Sequence, residues 1–188
     1  KELQEVSKLT SNGGYTNYDE WNLDFLADYI VNTHHNYVRK NMPEILQYSA
    51  KVTKVHGAQH PELAPIHQLV EKINDELSAH MVEEETILFP MSKKIVQSHN
   101  AGTTFTPDNG ESLTSLIDKM EHEHDSVGRA FDKIRELNDN YATPADACAS
   151  YKLLYKMLAD FENDLFTHIH LENNILFPKT IEIAKTIL

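Results

Sequence analysis

Apolar residues recur at helical intervals along most of the chain. From Asn22 onward they fall at Leu23, Leu26, Ile30 and Val31, then at Val38, Met42 and Ile45, the spacing that lines one face of a helix. Pro43 lies inside this run and, lacking an N–H donor, is expected to kink or split the helix. A break is predicted from Gly57 to Pro65, followed by a second helix from about Ile66 to Val96 in which Pro90 marks a kink or junction. Gly102, Pro107 and Asn109-Gly110 mark a loop over 100–110. A third helix is expected from Ser112 to Asn138, then a turn with Thr143 as N-cap and Pro144 in the first helical position. The fourth helix is predicted from Ala145 to about Phe177, with a short tail helix after Pro178. No strand-like alternation persists, and four long helices with short connections predict an all-α four-helix bundle. Residues 1–20, with weak patterning and Gly13-Gly14, read as an N-terminal arm or linker before a bundle spanning 21–188.

The helical pattern contains a duplication. His80 and Glu84 are followed by Ile87-Leu88-Phe89-Pro90, and His168 and Glu172 by Ile175-Leu176-Phe177-Pro178, so the same His-x3-Glu-x2-Ile-Leu-Phe-Pro string occurs twice, 88 residues apart. Glu76 and Asp164 each precede the histidine by four, which places carboxylate, imidazole and carboxylate down one helix face. His35 and His124, each followed three residues later by valine, stand 89 residues apart on the other two helices. The chain therefore reads as two αα-hairpins, each contributing one lone histidine and one His-x3-Glu. In a bundle these bring four histidines and two glutamates to a common core. Helix phase does not choose between His34 and His35; the interval to His124 and the shared His-x-x-Val favour His35.

Energetics separate a metal site from a merely structural repeat. An ionised carboxylate moved into a bundle core costs several kcal/mol unless paired, and no Lys or Arg lies four residues either side of Glu84 or Glu172. Neutral imidazoles do not offset that cost, whereas divalent cations do. Imidazole mixed with carboxylate and without thiolate fits non-haem iron or manganese better than structural zinc. Six side chains exceed the needs of one tetrahedral ion and suit two if both glutamates bridge, so the reading is a dinuclear iron centre on His35, His80, Glu84, His124, His168 and Glu172. Glu76 and Asp164 are candidates to accept hydrogen bonds from the outer ring nitrogens. His122 is expected to face a neighbouring helix or solvent, His56, His60 and His67 to serve surface or capping roles, and Cys148 to be a small buried residue.

Composition narrows the partners. The chain of 188 residues carries 17 basic and 29 acidic residues for a net charge of −12, which argues against nucleic acid and anionic membrane surfaces. Its hydrophobic fraction of 40% supports a real core, and no apolar run is long enough for a membrane span or flanked as in a signal peptide. A single cysteine among eleven histidines excludes an internal disulfide or a thiolate cage.

These residues carry a resemblance. The strings His34-His35-Asn36-Tyr37-Val38-Arg39 with Pro43-Glu44, Lys54-Val55-His56-Gly57 with His60-Pro61-Glu62-Leu63, Leu77-Ser78-Ala79-His80 through Phe89-Pro90, Glu123-His124-Asp125, and His168 through Pro178 resemble those of a hemerythrin-like (HHE) domain. Within that group they are most similar to the repair of iron centres family. The resemblance covers most of residues 21–180 and implies the same six ligands, His35 rather than His34 among them. It also implies two non-haem iron ions with an oxo or hydroxo bridge, and it sets Glu76 and Glu123 near a polar route from the surface. The implied function is repair of iron–sulfur clusters damaged by nitric oxide or oxidants, with a labile di-iron site as iron donor and damaged iron–sulfur proteins of the cytoplasm as partners. The alternatives are a store or sensor of O2 or NO, and a nitric oxide reductase. Oxygen-carrying relatives add a fifth histidine where this chain has Gly128 and end in His-x4-Asp rather than His-x3-Glu, which weakens the carrier reading. Family members usually carry a small N-terminal domain with a cysteine pair; this chain has no such pair, and with Lys1 at its start the expectation is either a trimmed or processed domain or a parent that lacks it.

Overall fold

The computed structural model describes residues 17–107 and 112–187, so the arm expected over 1–20 lies outside the described residues as far as residue 16. After a short turn at Tyr18–Glu20, the chain forms four helical rods. The first joins α1 (Leu23–Ile30) to α2 (Asn36–His56) through a π-helical segment at Val31–His35. The second joins α3 (Leu63–Glu83) to α4 (Phe89–Ala101) through a π segment at Glu84–Leu88. The third is α5 (Leu113–Leu137), and the fourth joins α6 (Ala149–Leu171) to α7 (Phe177–Ala184) through a π segment at Glu172–Leu176. Among the described residues there is no strand, and the all-α four-helix bundle expected from periodicity is the fold observed.

In one half of the bundle α2 packs against α3 and α6, and α3 against α5. The α5–α6 side is joined by Phe131 on Phe161, centroids 6.0 Å apart, and by the Arg135–Glu162 ion pair. Val38, Met42, Ile45, Leu77, Phe131, Tyr151, Phe161 and Leu165 belong to the buried cluster of this half. A second buried cluster, including Leu26, Ile30, Leu88, Ile117, Met120, Leu176 and Phe177, fills the half made by α1, α4, α7 and the start of α5. Each buried aliphatic or aromatic side chain of this kind contributes about 1.5–3 kcal/mol, so both halves cohere through apolar contact. Between them lies a polar layer. His35 sits between Ile30 and Val38, Glu84 between Leu77 and Leu88, His124 between Met120 and Val127, and Glu172 between Leu165 and Ile175.

Three local expectations are corrected. Helix α2 is not split at Pro43, whose exposed position leaves the bond-deprived carbonyl of Arg39, also on the exposed face, within reach of solvent. The fourth rod starts at Ala149 rather than Ala145, with Cys148 in extended N-cap conformation instead of Thr143. The chain first reverses through Asp139, Asn140 and Tyr141, all at positive φ, and Ala147 N–H closes a turn on Pro144 C=O at 3.1 Å before helical bonding begins at Cys148. That N-cap position also turns Cys148 outward: it is exposed, not buried, with its Sγ 3.1 Å from His56 Nε2. At the end of α4, Gly102 takes φ 66° and supplies the left-handed stop that a side-chained residue adopts with strain.

Candidate metal centre

The six side chains singled out by the repeat converge in the polar layer, all 4% exposed or less. They form two groups of four ligand atoms: His35, His168, Glu84 and Glu172, and His80, His124, Glu84 and Glu172. Both glutamates belong to both groups. Glu84 places Oε2 3.3 Å from His35 Nε2 and Oε1 3.2 Å from His80 Nε2. Glu172 places Oε1 3.0 Å from His168 Nε2 and Oε2 3.2 Å from His124 Nε2. The paired nitrogens lie 3.2 Å apart for His35 and His168 and 3.0 Å apart for His80 and His124. Adjacent ligands on an ion with bonds of about 2.1 Å stand about 3 Å from one another, so this donor set has the spacing of two coordination shells sharing two carboxylates.

The outer ring nitrogens explain why donors face inward. His35 Nδ1 donates to Glu85 at 2.6 Å, His80 Nδ1 to Glu123 at 2.8 Å, and His124 Nδ1 to the Asn173 amide oxygen at 2.9 Å. With the proton held on Nδ1, each neutral ring turns an Nε2 lone pair to the centre, the tautomer a metal ligand requires. Lone pairs and carboxylate oxygens then confront one another in a water-poor layer. Both Glu84 oxygens and Glu172 Oε2 are buried without a hydrogen bond. Charged acceptors left so are costly, and a cation is what this constellation fits.

The electrostatics agree. Burial, and Glu172 beside it, push the Glu84 carboxyl up, but the His80 and His35 imidazoles outweigh them and leave it below its ordinary value. Glu172 is held well below the carboxylate range: burial opposes ionisation, and His168 and His124 more than overcome it. Burial acts to lower His80, yet Glu84, Glu172 and Glu123 carry it up to about 9. His35 is raised for the same reason, burial being outweighed by Glu84, Glu172 and Glu85. Without a cation, protons are drawn into the layer to balance its two carboxylates.

The polar residues expected around the site divide. Glu123 touches His80 and is one-third exposed, with Lys119 beside it, so it links the layer to the surface. Glu76 and Asp164 do not reach the ligand rings. Glu76 meets Ser126 and Lys72, and Asp164 accepts from His34 Nδ1 at 3.0 Å, because the outer nitrogens point across to neighbouring helices rather than one turn back along their own. His34 is buried beside His35 and stacks on His168 at 5.6 Å. Sequence reasoning passed over Glu85 and Asn173. The signal was present: each follows the repeated glutamate directly, 88 residues apart. His122 is exposed, and His56, His60 and His67 bond to Cys148, Asp146 with Glu62, and Ser49 at the far end of the bundle.

The π segments set the register. In all three, a candidate ligand stands at one edge: His35 closes the first, Glu84 opens the second and Glu172 opens the third. A π turn swings successive side chains through a smaller angle than an α turn. Glu84 can therefore enter the layer while Glu85, the next residue, still reaches His35. Pro90 and Pro178 follow six residues after the glutamates, where the wider turn accommodates a residue with no N–H to give.

Comparison with known proteins bears on this geometry. The hemerythrin HHE cation-binding domain matches residues 26–180. A probable iron-sulfur cluster repair protein of Haemophilus influenzae is 38% identical over 156 residues, 83% of this chain and 64% of that protein. The iron-sulfur cluster repair protein YtfE of Musicola paradisiaca is 38% identical over 162 residues, 85% of this chain and 66% of its own length. The YtfE protein of Yersinia pestis is 35% identical over 156 residues, 83% of this chain and 65% of its length. The chain thus spans about two-thirds of the length of these curated relatives. With a helical bundle, a buried His/Glu layer and a family match over most of its residues, the chain belongs to the hemerythrin HHE cation-binding family.

Proposed function

We propose that this domain carries two iron ions on His35, His80, Glu84, His124, His168 and Glu172, and that it donates iron to iron–sulfur clusters damaged by nitrosative or oxidative stress. The observation that carries the reading is the sharing of both buried glutamates between two pairs of histidines, an arrangement suited to two divalent ions and not to one. Relatives named as iron-sulfur cluster repair proteins support the assignment of the cargo. When bound, iron supplies a redox-active and exchangeable metal pool.

The chain's own residues supply the rest. Glu85, Glu123 and Asn173 hold three imidazoles in the ligating tautomer. The two apolar clusters keep bulk water from the layer. Four imidazoles and two carboxylates leave part of an octahedral shell on each ion to other ligands, which favours exchange over permanent retention. Gly128, with nothing within 4 Å of where a Cβ would stand, occupies the place of the extra histidine of oxygen carriers and favours the donor reading over reversible oxygen storage. The partners in this reading are damaged iron–sulfur proteins of the cytoplasm. No helix among the described residues is long and apolar enough to cross a membrane.

The test is transfer. The domain loaded anaerobically with isotopically labelled iron is mixed with an iron–sulfur enzyme whose cluster has been broken by nitric oxide, and label and activity are followed in that enzyme. Label appearing in a rebuilt cluster is the expected result. Label retained by the domain while the cluster stays broken would overturn donation.

A further inference from the structure

The two halves of the layer differ in the outer partners of their histidines: Glu85 in one copy answers to Asn173 in the other, and Glu123 to His34. The repeat pairs His80 with His168 and Glu123 with His34, each at its interval of 88 or 89 residues. In the first copy Glu123 accepts from His80 Nδ1 at 2.8 Å. In the second, the corresponding place holds His34, which lies nearly parallel to the His168 ring at 5.6 Å and offers it no acceptor. His168 Nδ1 is buried and no protein group reaches it.

His34 itself is built like a ligand. It is 4% exposed, and its Nδ1 donates to the Asp164 carboxylate at 3.0 Å. That fixes an Nε2 lone pair, which is also buried and met by no protein donor. The same carboxylate-to-imidazole pairing orients His35 and His80, yet His34 belongs to neither ligand group. Asp164 is 20% exposed, so the pair extends from the layer toward the surface, while its second oxygen is buried and unpartnered.

Resting on the iron-donor reading, we propose that the two ions leave in order: the ion on His35 and His168 goes first, and His34 is the auxiliary ligand that receives it. Outer partners of ligand histidines change metal affinity by about 10–100-fold. The His80–His124 ion has two, Glu123 and Asn173. The His35–His168 ion has one, Glu85, and the Glu85 oxygen that meets His35 is shared with Arg39 at 2.7 Å, which draws off part of its charge. The weaker half is thus the half beside a free imidazole nitrogen.

The experiment uses the domain loaded with ferrous iron under anaerobic conditions and mixed in stopped flow with excess of a colour-forming ferrous chelator. Release is expected in two phases of equal amplitude, at least 10-fold apart in rate. His34→Phe keeps a flat ring on His168 and removes the nitrogen; it should slow the fast phase about 10-fold and leave the slow phase unchanged. Asp164→Asn, a milder change that preserves an acceptor for Nδ1, should slow the fast phase about 3-fold and keeps the test open if the first variant does not fold. Asn173→Leu should speed the slow phase alone, about 10-fold. Single-phase release of both ions, or a fast phase indifferent to both the His34 and Asp164 variants, would overturn the proposal. Ordered release without transfer to a damaged cluster would instead overturn donation and leave the order of release standing.

Discussion

Glu84 and Glu172 each offer one oxygen to each pair of histidines, so in the proposed centre each ion would draw on both carboxylates. Glu84→Ala or Glu172→Ala should therefore drop iron from about two per chain to less than one, read by elemental analysis. Retention of two irons by either variant would break the bridging assignment. The pH dependence follows from His80, whose pKa is carried from 6.5 up to about 9 in the metal-free fold. A raised histidine stabilises that fold fully below about pH 6.5, and the contribution is lost as pH rises through about 9. Iron must displace the same proton, so metal affinity runs the other way, rising with pH below about 9 and levelling above it. Calorimetry of iron binding at pH 7.5 in buffers of different ionisation enthalpy should register at least one proton released per chain, and none released would refute it. At this scale the repeat made the six inward-facing residues legible, because their spacing is a property of the string. Spacing along one helix carries no word on which way a ring nitrogen points. Asp164 therefore stood as a partner for a ligand histidine, when across the bundle its partner is His34.

The helices were readable from apolar spacing, but their π segments were not. Val31–His35, Glu84–Leu88 and Glu172–Leu176 keep the same apolar faces on either side, so no break in the pattern marks them. The prolines after two of them read as junctions; what stands before each is a widened turn that absorbs one extra residue. Deleting the exposed Thr86 should convert the second segment to regular α-helix while keeping α3 and α4 on their faces. The expected outcome is a folded bundle with unchanged far-ultraviolet circular dichroism and iron affinity weakened at least 10-fold. Unaltered affinity would show that the π turn does not position Glu84 and Glu85. The start of α6 was misread for a related reason. Thr143-Pro144 is a good helix opening taken locally, but docking of Asp146 on His60 and burial of Ala147 hold the chain in a turn until Cys148.

Across the whole molecule, the polar layer is set between two apolar clusters that are each complete without it. The metal-free chain should therefore stay helical, with its stability reduced by the binding energy alone. Free metal at a thousandfold above its dissociation constant adds about 4 kcal/mol, and a chain of this size shifts by about 2–4 °C per kcal/mol. Stripping the metal should lower Tm by roughly 10 °C in a scan followed by circular dichroism, with the native helical signal intact below the transition. Collapse of the helical signal on chelation would mean that the clusters do not hold the bundle by themselves. Anaerobic titration of the metal-free domain with ferrous iron, with bound metal counted per chain, decides whether the buried layer takes two ions through shared glutamates. Saturation is expected at about two irons per chain; saturation at one, or no binding by a folded chain, would refute the shared-glutamate centre.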